Sequence, residues 1–161
     1  MSKCMTLHGI LLVMLFACGT SDNSEEIPDE PEIKNTKDAL VTKVIVSGSE
    51  NAYTFSVTIS SPDLGCNQYA DWWEVVDSEE NLLYRRILAH SHVNEQPFTR
   101  SGGPVSIQKS TEVYVRAHMN NSGFGTSMLK GTVETGFSEI TAENFAQNLE
   151  SEQPLPTGCA F

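Results

Sequence analysis

The chain has 161 residues, with 21 acidic against 10 basic side chains and a formal net charge of -11. That length holds about one domain, and an acidic surface repels phosphate backbones, which argues against nucleic acid as a partner. The charge divides unevenly: residues 19–38 carry seven acids against two bases, whereas residues 39–161 carry fourteen against seven, so the expected folded part sits near -7.

Residues 1–17 place Lys3 ahead of the apolar run Ile10 to Ala17. This run is too short for a permanent transmembrane helix and has the layout of a secretory signal peptide. It ends in Leu15-Phe16-Ala17-Cys18, which resembles the lipobox of bacterial lipoproteins, and the resemblance implies diacylation of Cys18. Residues 18–38 are rich in acids, Ser, Asn and Pro and poor in aliphatics, so they cannot bury enough surface to fold. They read as a tether with a root-mean-square reach of about 25 Å. The acidic run Ser21 to Glu26 is similar to the surface-export signals of Bacteroidetes lipoproteins. Together these features predict an outer-membrane lipoprotein of the cell envelope, exposed at the surface and bound to the membrane through its lipid.

Removal of Cys4 with the leader and acylation of Cys18 leave Cys66 and Cys159 as the cysteine pair in a compartment where disulfides persist. The expectation is a disulfide between them, with a metal site as the weaker alternative.

From residue 39 the periodicity is two. Leu40 to Val46 is a β-branched run, and Tyr53, Phe55, Val57 and Ile59 alternate with hydroxyl residues, with Gly48 and Asn51 marking the turn between. Asp71 to Asp77 resumes the pattern, and Leu82 to Val93 reads as one long strand. Asn94 to Pro104 reads as a loop, punctuated by Pro97, Gly102, Gly103 and Pro104. A short strand Val105 to Ile107 follows. Thr111 to Asn120 alternates with Val113, Val115, Ala117 and Met119 inward and Tyr114, Arg116 and His118 outward; Met128 to Val133 supplies a last strand. Seven short strands joined by turns predict an all-β antiparallel sandwich over residues 39–136. A C-terminal arm over residues 137–161 is predicted to carry a helix at Thr141 to Glu150, docked through Phe145 and Leu149.

The stretch VSIQKSTEVYVRAHMNNSGFGTS resembles strands E, F and G of fibronectin type III domains, and DWWEVVDSEENLLYRRIL resembles their strand C to C′ hairpin. Val113 stands where that family's corner tyrosine is expected, with Tyr114 next, so an immunoglobulin-like sandwich of different topology stays open. The resemblance implies that strand C lies between C′ and F. It also implies that the loops after B, C′ and F gather at one end, collecting Cys66, His90, His92 and His118. The disulfide would then draw the arm back along the sandwich as a clasp.

No residue set amounts to a catalytic signature: there is no glycine-rich phosphate loop and no HExxH, and strand parity turns Ser91 away from both flanking histidines. The expected role is therefore a non-enzymatic binding or accessory lipoprotein, with an envelope protein or glycan as partner. One alternative is metal handling, with His90, His92 and His118 as a zinc or copper site. A second candidate set, Arg86, Arg100 and Arg116, has the chemistry to grip a carboxylate or a sulfated sugar. The competing role for these arginines is pairing with Glu74, Glu95 or Glu112.

Overall fold

The computed structural model describes residues 37–160, and the predicted leader, Cys18 and most of the tether lie outside them. Strands β1 (Leu40–Ser47), β2 (Tyr53–Ser60) and β5 (Phe98–Val105) form one antiparallel sheet in the order β1-β2-β5. The second sheet contains β3 (Ala70–Asp77), β4 (Leu82–Ile87), β6 (Val113–Met119), β8 (Ser127–Thr132) and β9 (Gly136–Thr141) in the order β4-β3-β6-β8-β9. A two-residue strand, β7 (Gly123–Phe124), pairs with the end of β6. Strand β3 thus lies between β4 and β6, the position implied for strand C.

Period-two alternation decides which side chains meet between the sheets. Phe55, Val57 and Ile59 from β2 are fully buried against Trp73 and Val75 from β3 and Val113, Val115 and Met119 from β6. The first turn forms where expected, with Gly48 and Asn51 at φ 103° and 65°. Gly131 of β8 also has a steric role: a Cβ there would lie 2.0 Å from the Gly136 carbonyl oxygen of β9.

Four sequence expectations require correction. Strand β4 ends at Ile87 instead of running to Val93, and the expected loop Asn94 to Pro104 is largely strand β5. Its glycines and proline disguise it, but β5 is an edge strand paired only with β2, where a missing donor on the open side costs no ladder bond. The chain also adds β9, which extends the second sheet past residue 136. Finally, the expected helix Thr141 to Glu150 is the end of β9 followed by a single 3₁₀ turn, Gln147–Ser151. Asn144 and Ala146 adopt left-handed φ of 58° and 45°, which interrupts a right-handed helix in its middle. Phe145 and Leu149 nevertheless dock as expected, packing with Ala146 on Val76, Leu82 and Tyr114 to form a second small core.

Candidate functional site

Two places concentrate polar chemistry: the outer face of the larger sheet, and the rim formed by the loops after β2, β4 and β6. On the outer face, register sets three charges in a row across three strands. Glu74 of β3 is opposite Arg85 of β4 on one side and Arg116 of β6 on the other. Arg85 pairs with Oε2 of Glu74 at 2.5 Å and Arg116 with Oε1 at 2.7 Å, and all three side chains are buried.

The outward prediction for Arg116 and His118 holds for parity but not for exposure. The C-terminal arm lies across this face and removes both from solvent, leaving them 1% and 4% exposed. Its backbone carbonyls take up the guanidinium protons. Arg85 donates to the carbonyls of Leu149, Glu152 and Pro154, and Arg116 to those of Phe145 and Ala146. With its two bonds to Glu74, Arg85 uses all five of its N–H donors. Arg116 is therefore part of an internal clasp and does not join Arg86 and Arg100, which corrects the arginine set read from the sequence.

Trp72 and His118 are cross-strand partners, and their rings stack at 3.5 Å beneath the same arm. His118 Nδ1 lies 2.7 Å from Asp71 and its Nε2 lies 3.3 Å from Glu150 of the arm. The arm is fixed at its far end by the Cys66–Cys159 disulfide, with the Cα atoms 5.5 Å apart, and the Ala160 N–H donates to the Ala89 carbonyl.

At the rim, Asp63 organises the loops. Its buried carboxylate accepts from Ser61 Oγ of its own loop and the Ala70 N–H at the start of β3, and from Ser91 Oγ and the His92 N–H of the loop after β4. Ser91 also accepts from the Gly65 N–H, so its hydroxyl is turned to the neighbouring loop. Asn120, after β6, accepts from the Tyr69 N–H and donates to the Cys66 carbonyl. These bonds gather the three loops at one end, as the resemblance implied.

The three predicted histidines do not form one cluster. His92 and His90 meet with ring centroids 4.6 Å apart, while His118 is engaged by Asp71, Trp72 and Glu150. Among the described residues no group of three or more His, Cys, Asp or Glu side chains is arranged to hold a metal ion. His92 is 3% exposed and its other ring neighbour is Phe98, stacked at 3.7 Å. Neither of its ring nitrogens has a hydrogen-bond partner, and Asp63 Oδ2 lies 3.8 Å from Nδ1. Burial pulls its pKa below the ordinary histidine value, and the charges of Arg100 and His90 act in the same direction, so the ring is neutral at pH 7.

Beside His92 a cleft of about 130 Å³ opens between Arg86 of β4 and Arg100 of β5, with Leu88, His90 and His92 among its walls. Arg100 forks onto Glu95 at 3.1 and 2.8 Å. This pairing raises the Arg100 pKa and lowers that of Glu95. Two of the large apolar side chains that stand exposed, Leu64 and Val93, belong to the loops that carry Asp63 and His92. Asp63 and Phe98 carry no signal in the sequence: an aspartate in Ser-Pro-Asp-Leu-Gly reads as a turn former, and Phe98 falls inside an apparent loop.

No protein-family model matches the chain, and no solved structure matches it significantly. Over 118 residues it is 32% identical to a protein of Halomicrobium mukohataei named "Putative lipoprotein", a match covering 73% of this chain and 58% of that relative. The matched part is thus under two thirds of the relative's length. No helix among the described residues is long and apolar enough to cross a membrane.

Proposed function

We propose that the chain is a non-enzymatic binding or accessory lipoprotein, tethered through Cys18 to the outer membrane of the cell envelope and exposed at the surface. The lipid part rests on the placement of Cys18, where an apolar leader gives way to an acidic tether, and on the similarity to a protein named as a lipoprotein. The observation that carries the binding part is the rim. Three loops are fixed there by Asp63, Asn120 and the disulfide, yet the same loops expose Leu64 and Val93 and leave the ring nitrogens of His92 without hydrogen-bond partners. A scaffold that rigidifies loops and leaves such groups uncommitted is suited to recognition.

Growth with an alkyne-bearing palmitate tests the anchor: label is expected on the parent protein and lost in Cys18→Ser. An unlabelled parent protein would remove the lipid reading. Photo-crosslinking from position 64 or 93 in intact cells tests the rim: a discrete adduct is expected, and none from either position would remove the binding reading.

A further inference from the structure

We propose that the open edge of β1 takes up an extended strand of another protein, which lies over β9 and closes the sandwich on that side. This site is separate from the rim and stands or falls independently of it. The two sheets are unequal: β1-β2-β5 faces β4-β3-β6-β8-β9, and β1 lies over β6 and β8. The inner face of β9 therefore extends past the smaller sheet, with no strand opposite it among the described residues. The gap is a groove of about 380 Å³, walled by Leu40 to Val44 of β1 and, across from them, by Leu129 of β8 and Phe137 and Glu139 of β9. The opposite side of the sandwich is closed. There β4 approaches β5, and a Cβ on Gly102 would lie 2.6 Å from the Tyr84 hydroxyl.

Among the described residues β1 pairs only with β2, so alternate N–H and C=O groups along it turn to the open side. Its register with β2 shifts at Thr42 and is regular from Lys43 to Ser47, which sets the ladder on offer. Ile45, 53% exposed, would gain a cross-strand neighbour from an added strand.

The overhang of β9 decides what fits. If a second copy paired its β1 antiparallel with this one, the two β8 strands would stand one strand spacing, roughly 4.8 Å, apart, and both copies' β9 would have to fit between them. The groove therefore excludes a second copy's edge and admits a lone strand. Phe137 and Glu139, two residues apart, line it together, so a guest strand matches them with an apolar and a basic residue at the same spacing. Glu139 accepts from Ser127 Oγ at 2.8 Å and has no ion pair among the described residues. The segment that precedes β1 has the wrong charge for this place, with seven acids against two bases over residues 19–38. Main-chain bonds to β1 supply the affinity, and the alternate side chains over β9 supply the selectivity.

Fluorescence anisotropy tests the site with the purified full chain and the labelled peptide TVTKTVTKT, at about 150 mM salt to screen the chain's long-range field. Saturable binding is expected, about fivefold weaker for TVTETVTET. Glu139→Lys, at an exposed position of an edge strand, is expected to remove that preference. A ladder uses alternate amides, so N-methylation of the odd or of the even residues is expected to abolish binding in one of those two peptides only. Amide exchange should show protection gained at those amides of residues 43–47 that turn away from β2, and none gained at residues 63–66 or 91–95 of the rim. No saturable binding, equal binding of the basic and acidic peptides, binding kept by both methylated forms, or protection gained elsewhere would overturn the proposal. So would protection of the same amides before peptide is added, which would give the edge to the chain's own tether or to a second copy.

Discussion

Glu74 and Arg116 face each other across β3 and β6 at 2.7 Å, on the side of the sheet that points away from the main core. Both are buried all the same, because the C-terminal arm covers them and supplies the carbonyls that complete the arginine's hydrogen bonds. The pair is thus stable only as part of a three-layer arrangement, in which Arg85 balances the second oxygen of Glu74. Replacing Glu74 with Ala leaves two buried guanidinium groups facing each other, a change expected to cost about 3–5 kcal/mol. Replacing Arg85, Glu74 and Arg116 together with apolar residues of similar volume is expected to cost less than Glu74→Ala alone. Urea denaturation of the single and triple variants measures both. Equal or additive losses would show that the three charges do not act as a unit.

The disulfide closes a loop with a sequence separation of 93. In the chain-entropy account, cross-linking a loop of that size stabilises by about 4–5 kcal/mol. Cys159→Ser is therefore expected to lower stability by up to that amount. Since the bond fixes the arm's far end, its loss should also raise protease sensitivity between residues 152 and 160 before the sheets unfold. Limited proteolysis with mass spectrometry reports the order of cleavage. First cuts inside β2 or β6 would mean that the arm does not depend on the bond.

The alternation of Tyr53 to Ile59 and of Thr111 to Asn120 made the sandwich legible, because period two in a half-buried strand directly records which face is dry. It could not record what covers the other face. Arg116 and His118 read as exposed because their polarity fits solvent, and nothing local announces that residues some thirty positions later will cover them. The disulfide and the resulting clasp were legible from cysteine arithmetic, but the clasp's target was not. Strand β5 was lost to its glycines and proline, since edge strands tolerate residues that central strands exclude. The histidine cluster failed for a geometric reason: His118 lies opposite Trp72, and stacking on that ring with a bond to Asp71 holds it away from His92.

Gly131 separates a packing requirement from a conformational one. A methyl group there meets backbone, the Gly136 oxygen and the Phe137 Cα, neither of which can rotate aside. Gly131→Ala is expected to cost about 1–3 kcal/mol by forcing β8 and β9 apart. Amide exchange should localise the damage, with protection falling at residues 136–141 while residues 53–60 keep theirs. Uniform loss of protection would indicate that β9 is integral to the cooperative core.

His92 sets an acid limit on stability. In the folded protein its pKa lies below the ordinary value of about 6.5, chiefly through burial, with Arg100 and His90 adding and Asp63 and Glu95 opposing. Below pH 6.5 the unfolded chain takes up a proton at this position that the folded chain refuses. Stability therefore falls as pH drops from about 6.5 toward the folded pKa, by at most about 1.4 kcal/mol per pH unit for this one group. It levels off with respect to His92 once the folded ring is protonated too. His92→Phe removes the titrating group and keeps the stack on Phe98, so its melting temperature should decline less than that of the parent between pH 7 and 5. Thermal melts of both proteins across that range decide the matter, because parallel curves would assign the acid sensitivity to other groups and leave His92 protonating as freely folded as unfolded.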